Sequence, residues 1–203
     1  MTNGQLLVGL GTKSMESHKT YLGVDYSMSS PCICLHDKYE YSFHYLTKTK
    51  KYEGYWEIDG GNVKITGHLM PKFDDDIDRW DSISGWVMRT IEDWTVDYAF
   101  LEDYSFGSTG RTFQIGENFG LLKYKLRLGI IPWLTVPPTV LKKFATGKGN
   151  AKKEDMQESF IKETGWDIKA ALQQTEKQWN PSSDIIDAYF LVEYGKHKQN
   201  EEE

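Results

Sequence analysis

Long apolar segments and a cysteine framework are missing from this sequence. No apolar run in its 203 residues reaches the roughly 20 residues that cross a bilayer, which argues against a membrane-spanning helix. The first residues lack a basic segment followed by an apolar one, so we expect no secretory signal. Cys32 and Cys34 share one face of a predicted strand, which makes them poor disulfide partners, and two thiols are too few for a zinc site. We therefore expect reduced core thiols in a cytoplasmic protein.

An overall excess of basic residues is also absent, because the net charge is −6. The bases are nevertheless concentrated. Residues 104–153 contain nine Lys or Arg and one acid, a local charge of +8, so the rest of the chain carries −14. A basic region on an acidic chain can attract a polyanion through its local field. Ordinary solvated helix faces would give the same clustering, so the charge pattern alone leaves both interpretations open.

The order of predicted elements indicates a mixed α/β fold. A meander of three short strands is followed by a hairpin whose turn is residues 59–62. Strands and helices then alternate, which is typical of a mixed sheet with helices on both faces. The predicted strands cover 20–27, 31–37, 39–48, 96–106 and 130–136, with the hairpin at 55–69, and the predicted helices cover 74–94, 109–128, 137–146, 151–165 and 181–195.

The composition suggests one α/β domain (20–198) with a hairpin insertion at about 52–72. An N-terminal extension (1–19) precedes it, and an acidic, frayed tail (199–203) follows. The extension contains GLGTKS, which does not match the phosphate-binding P-loop because a threonine separates the glycine from the lysine.

Four acids stand at positions where apolar residues are expected. Asp25 ends the first predicted strand and Glu102 ends a later one. Asp184 and Asp187 share one face of the apolar last helix, because residues three apart are neighbours on a helix. If the two strands pair, their ends meet, and the last helix can close the site. Strand alternation alone does not decide between Glu102 and Asp103, because the two side chains point to opposite faces.

Each of these acids also has a structural interpretation. Asp184 could favour the helix dipole, and Asp25 could begin a turn with Ser27. A structural role is hardest to defend for Asp187, which lies among apolar residues. Four converging carboxylates cannot all stay ionised without a cation, and hard oxygen ligands favour Mg²⁺ or Mn²⁺. Two such ions activate a water and stabilise the leaving oxygen in phosphodiester hydrolysis.

Five segments together form a pattern more specific than any one of them. In order, they are LGVDYSMSS, AFLEDYSF, QIGENFGLL, LKKFATGKGNAKKEDM and SSDIIDAYFLV. They span about residues 20–195 and resemble the successive motifs of the RuvC-type Holliday junction resolvases. This family belongs to the RNase H-like nuclease superfamily, and its divergent branches include phage-encoded enzymes.

The resemblance implies an RNase H-like fold, with a five-stranded mixed sheet, helices on both faces and here an inserted β-hairpin. It also implies a homodimeric, Mg²⁺-dependent endonuclease that makes paired nicks in four-way DNA junctions, with two ions per active site and Mn²⁺ as a substitute. The family's second acidic motif selects Glu102 over Asp103. By position, the catalytic acids and metal ligands are Asp25, Glu102, Asp184 and Asp187, and Lys153 stabilises charge on the scissile phosphate.

The family's basic positions for DNA contact fall on Lys142 and Lys153. Aromatic residues of the loop 103–113 either stack on bases at the junction centre or pack in the core, and the core is favoured for Phe113. We expect DNA contacts from Tyr104, Phe106, Arg111, Lys142, Lys143, Lys148, Lys152 and Lys153.

Three segments depart from the bacterial pattern: the inserted hairpin, the N-terminal extension and the long loop 166–180. The preferred cleavage sequence and the preferred type of DNA branch therefore stay open. One alternative is a nuclease of the same fold that acts on forks, flaps or RNA–DNA hybrids. A non-catalytic DNA-binding module is a second, which the four retained acids oppose. A third is an actin-like phosphotransferase, which would need glycine-rich nucleotide loops after its strands.

Overall fold

A seven-stranded mixed sheet with helices on both faces forms the centre of the protein, and the computed structural model describes residues 18–104 and 112–202. The strand order is β4-β5-β3-β2-β1-β6-β7. The strands are β1 (Tyr21–Asp25), β2 (Cys32–His36), β3 (Tyr41–Thr47), β4 (Gly54–Ile58), β5 (Val63–Leu69), β6 (Tyr98–Glu102) and β7 (Trp133–Val136). The helices are α1 (Asp76–Thr90), α2 (Thr112–Leu128), α3 (Pro138–Thr146), α4 (Lys153–Thr164), α5 (Ile168–Ala171) and α6 (Ser182–Glu202).

The pairing of the strands confirms the predicted fold class. Strands β1, β2 and β3 form the antiparallel meander. Strand β6 pairs with β1 in parallel, with Val24 opposite Leu101, and β7 extends the parallel part. The carboxyl ends of β1 and β6 therefore lie side by side, which is the arrangement that the site prediction required.

The inserted hairpin accounts for a sheet of seven strands instead of five. Strand β5 pairs in parallel with β3, and β4 pairs with the outer edge of β5. The chain therefore has to cross β5 on its way from β3 to β4. Gly67 makes the crossing possible, because a Cβ there would lie 2.0 Å from the carbonyl oxygen of Tyr52. The hydroxyl of Tyr45 donates to the same carbonyl at 2.8 Å and holds the crossing in place.

Two apolar cores lie on opposite faces of the sheet. Helices α1 and α2 cover one face, and α3, α4, α5 and α6 cover the other. Helix α6 packs against β1, β2, β6, α3 and α4, and its segment 188–192 is entirely buried. This explains the apolar sequence of that helix. Cys32 and Cys34 are buried free thiols in the core on the α6 face, as predicted.

Several local predictions were wrong. The spacing of Ile77, Trp80, Ile83, Val87 and Ile91 predicts one buried face of α1. Ile77 is nevertheless 65% exposed, and Trp86 is buried. The loop 166–180 contains the short helix α5. Helix α6 continues through residues 199–202, where a frayed tail was expected. The sequence predicts Ser182 or Ser183 as the N-cap of this helix, but both lie inside its first turn, and the Ser182 hydroxyl donates to the Trp179 carbonyl oxygen at 2.8 Å.

The sheet and α6 approach each other closely at Gly23 on β1. A Cβ at this position would lie 2.2 Å from the carbonyl oxygen of Ala188. Backbone contacts backbone here without an intervening side chain, which fixes the separation of β1 and α6.

Gly23→Ala should therefore force α6 away from the sheet. We expect the free energy of unfolding to fall by about 1–3 kcal/mol, as for other overpacked sites, when urea denaturation is followed by circular dichroism. Gly120→Ala is the matched control, because nothing lies within 4 Å of a Cβ at that helical position. This control should gain up to about 1 kcal/mol from helix propensity. Equal stability of Gly23→Ala and the wild type would contradict the close packing.

Candidate active site

Three carboxylates from different elements meet where β1 and β6 end. Asp25 is the last residue of β1, Glu102 is the last residue of β6, and Asp187 lies in the second turn of α6. One oxygen from each lies within 4.8 Å of the other two. The side chains are partly buried, so the cluster is enclosed but can be reached from a cleft. A cluster of this composition and spacing can hold a metal ion.

Alternation along β6 separates Glu102 from its neighbour. Glu102 enters the cluster, whereas the Asp103 carboxylate accepts a hydrogen bond from the backbone N–H of Tyr104 at 2.9 Å. The geometry thus places Glu102, and not Asp103, in the three-carboxylate cluster.

Burial and mutual repulsion dominate the electrostatics of the cluster. Loss of hydration raises the pKa of Asp25 well above its ordinary value, and repulsion from Glu102 raises it further. The same two causes raise the pKa of Asp187, and burial raises the pKa of Glu102 to about 7. No hydrogen bond or ion pair joins the Asp187 carboxylate to any other residue that the structure describes. Burial and mutual repulsion therefore favour the protonated form of these carboxyls as long as no cation is bound.

Three of the predicted lysines border this cluster. A cleft of about 370 Å³ is lined by Glu102 and Asp187 together with Lys142 of α3, Lys152 and Lys153. The Lys142 ammonium opposes the effect of burial on the pKa of Glu102. The cleft thus places cations next to the carboxylates without direct ion pairs among the described residues that line it.

The other predicted DNA contacts have mixed outcomes. Lys143 and Lys148 are exposed and do not line the cleft. Phe113 is 86% exposed, so its favoured placement in the core was wrong. Arg111 and Phe106 lie outside the described residues.

Asp184 lies beside the three-carboxylate cluster and is not part of it. Its carboxylate accepts two hydrogen bonds from the Asn180 side-chain amide, at 2.9 and 2.6 Å. The Ser183 hydroxyl donates to it at 3.3 Å. Burial raises the pKa of Asp184 to about 6, and the Lys153 ammonium and these donors oppose the rise. Of the four acids predicted to converge, the structure brings three together and turns the fourth towards a neutral amide.

A second cleft opens on the other side of Asp25 and Glu102. It has a volume of about 320 Å³. Tyr104 lies here, packed edge-on against Phe119 with ring centroids 5.9 Å apart. Arg79 also lines it and donates from Nε to the Met28 carbonyl oxygen at 3.0 Å. The remaining lining residues are Tyr26, Ser27, Met28, Ser29, Asp103 and Ile115.

Sequence reasoning missed Arg79 and Asn180. Arg79 is the only base in the acidic segment 74–81, which was a usable signal. Asn180 precedes a proline just before an apolar helix. An Asn-Pro pair indicates a turn but gives no indication of where the amide points.

Of the comparisons with known proteins, only the comparison with solved structures gave matches, and these concern the fold. No family model matches the chain, and no protein of curated function matches it by sequence. Thermus thermophilus RuvC is 12% identical with a TM-score of 0.54, covering 89% of this chain and 96% of its own. The same enzyme "in complex with Holliday junction substrate" gives 12% identity, a TM-score of 0.57 and coverages of 86% and 91%.

The yeast mitochondrial Holliday junction resolvase Ydc2 is 15% identical, with a TM-score of 0.51, and covers 90% of this chain and 82% of its own. The chain has the RuvC fold. The fold expected from the five motifs is confirmed, with seven strands in the sheet instead of five.

Without metal, the stability of the protein should decrease as the pH rises from about 4 to about 7. Glu102 and Asp184 keep their protons in the folded state up to a pKa of about 7 and about 6, whereas carboxyls of the unfolded chain release theirs near pH 4. The unfolded state therefore binds fewer protons across this interval, so unfolding becomes easier with rising pH.

Thermal unfolding in a chelating buffer at several pH values measures this slope. Glu102→Gln should flatten it, and Glu57→Gln, at an exposed position of β4, should leave it unchanged. A melting temperature that rises over the interval would contradict the raised pKa values of Glu102 and Asp184.

Proposed function

We propose that this protein is a metal-dependent endonuclease that resolves four-way DNA junctions by phosphodiester hydrolysis. The observation that carries the proposal is the three-carboxylate cluster at the ends of β1 and β6, bordered by lysines and set in the RuvC fold. The acids supply hard ligands for a cation, and the bases supply contacts for a polyanion. A purely structural role does not require both at one cleft. A role in DNA recombination and repair follows from this activity.

Mg²⁺ is the proposed cofactor, with Mn²⁺ as a substitute and two ions per site. The donor set fits a hard divalent cation, because it consists of three carboxyl groups whose ionised form burial disfavours and a bound cation would stabilise. Asp25, Glu102 and Asp187 would hold one ion, and Asp184 is the further ligand we propose beside them. When bound, such ions lower the pKa of a coordinated water and stabilise the leaving oxygen.

The lysines are proposed to bind the DNA backbone. Lys142, Lys152 and Lys153 line the cleft next to Glu102 and Asp187, so a phosphate held there lies beside the cluster. Lys153 is proposed to stabilise charge on the scissile phosphate. Such contacts determine affinity and position but carry little sequence information. Tyr104 is proposed to stack on an unpaired base, and the contacts predicted for Phe106, Arg111, Lys143 and Lys148 remain predictions.

A homodimer is the proposed active form, because two sites are needed for paired nicks. Helix α2 offers a candidate interface, since Phe113, Tyr124 and Leu128 lie at spacings that place them along one side of the helix and are 86%, 57% and 65% exposed. An exposed apolar stripe of this kind is typical of a surface buried in an assembly.

A cytoplasmic location is proposed from the two free, buried thiols. For a phage-encoded protein this would be the host cytoplasm. Separately, none of the described helices combines the length and the apolar character needed to cross a membrane.

The direct test is cleavage of a labelled four-way junction with and without Mg²⁺, compared with a fork, a flap and an RNA–DNA hybrid. We expect paired, symmetrical cuts in the junction that require the metal. Asp187→Asn should abolish them but leave junction affinity within about twofold, because removing a negative charge does not weaken contacts with phosphates. Preferred cleavage of the hybrid or the flap would replace the junction as the substrate. Full activity of Asp187→Asn would overturn the catalytic assignment.

A second test addresses the lysines. Lys142→Ala combined with Lys153→Ala should weaken junction binding and make the slope of log affinity against log salt shallower by about two, one unit for each lost phosphate contact. Lys50→Ala combined with Lys64→Ala is the control of equal charge, since Lys64 lies on β5, three strands from β1, and Lys50 precedes β4. An equal change of slope in both pairs would indicate a general charge effect and not a specific contact.

A further inference from the structure

The side-chain amide of Asn180 lies between a cation and an anion of the site. Its Nδ2 donates to both carboxylate oxygens of Asp184, at 2.9 and 2.6 Å. Its Oδ1 lies 3.4 Å from the ammonium of Lys153. The same Lys153 ammonium donates to the Ser183 hydroxyl at 3.1 Å. Asn180 therefore contacts both charged side chains. The Ser183 hydroxyl also contacts both, because it donates to Asp184 at 3.3 Å, but the amide makes the shorter contacts with the carboxylate.

Lys153 and Asp184 do not pair directly. Among the described residues, the ammonium of Lys153 has no carboxylate within 4.0 Å, and its polar partners are Asn180 and Ser183. Asp184 is only 7% exposed, so water screens its charge weakly. Opposite charges this close attract strongly in such surroundings, and a direct ion pair is the expected outcome unless another group occupies the space between them.

The amide suits this position because it carries donors and an acceptor on one uncharged group. Its orientation is determined by its neighbours. The NH₂ end faces two carboxylate oxygens and the hydroxyl of Ser30, which lies 2.9 Å away, and the carbonyl end faces the ammonium. The reverse orientation would place a carbonyl oxygen against a carboxylate.

The Asn180 backbone is anchored independently of this bridge. Its carbonyl oxygen accepts a hydrogen bond from Nε2 of Gln174 at 2.7 Å. The loop 166–180 thus holds Asn180 through a backbone contact that does not involve its side chain.

We propose that Asn180 is a positioning residue that prevents Lys153 from forming an ion pair with Asp184. Separation leaves the carboxylate available to a divalent cation and the ammonium available to a DNA phosphate. The inference rests on the proposed function, since it assumes that Asp184 contributes to a metal site. It adds a residue outside the four acids and the basic residues, and it gives the loop 166–180 a role in the site.

The test is Mn²⁺ binding to the DNA-free protein, measured by isothermal titration calorimetry in a double-mutant cycle. Asn180→Ala should weaken Mn²⁺ binding about tenfold, the usual loss when a group that orients a ligand is removed, because Lys153 can then pair with Asp184. In a Lys153→Met background the same substitution should change affinity by less than about twofold, since no ammonium remains to compete. An equal loss in both backgrounds would overturn the proposal.

Two further variants keep the result interpretable. Ser182→Ala removes a hydrogen bond at the start of the same helix without touching either charge, and it should bind Mn²⁺ normally. Asn180→Ser is polar but too short to bridge, and it should reproduce the coupling with Lys153 if Asn180→Ala does not fold. Wild-type affinity in Asn180→Ser would also overturn the proposal. Failure of the wild-type protein to bind Mn²⁺ would instead overturn the proposed metal site itself.

Discussion

Repulsion among carboxylates that are crowded and partly removed from water is the constraint on which the rest of this structure depends. Three elements distant in sequence have to deliver acids to one point against that repulsion. The surrounding packing supplies the necessary rigidity. An apolar helix runs through the core, and its backbone rests directly on β1 at Gly23. The stability of the fold therefore maintains an arrangement that the charges themselves oppose.

The main features of the site could be predicted because they follow from short-range patterns. A buried strand that ends in an acid was recognisable at Asp25 and at Glu102, and parallel pairing of these strands then places their ends together. The apolar last helix was recognisable from composition. The motif pattern added what alternation could not, namely the choice of Glu102 over Asp103. Alternation shows only that the two side chains point to opposite faces. It does not show which face of the sheet carries the site.

The remaining features depend on contacts between segments far apart in the chain. The pattern of α6 predicted that Asp184 and Asp187 share a face, and both do lie near the site. Only the tertiary structure shows that an amide from the preceding loop binds the Asp184 carboxylate and that the cluster consists of the other three acids. The exposure of Ile77 has a similar origin. Helical spacing identifies a face of α1, but it does not show which turns of that face other segments cover.

The inserted hairpin also shows where this architecture can accept additional chain. Strand β5 adds to the outer edge of β3 over seven residues, from Val63 to Leu69, and the crossing segment is accommodated over Gly67. All of this occurs on the side of the sheet remote from β6 and β7. Strands added at that edge widen the sheet, and β1 keeps β2 and β6 as its neighbours. The added segment is nevertheless connected to the site, because the Tyr52 hydroxyl donates to Gln178 at 3.0 Å in the loop that carries Asn180. An insertion at the edge of the sheet can therefore support a loop beside the carboxylates without displacing the strands that carry them.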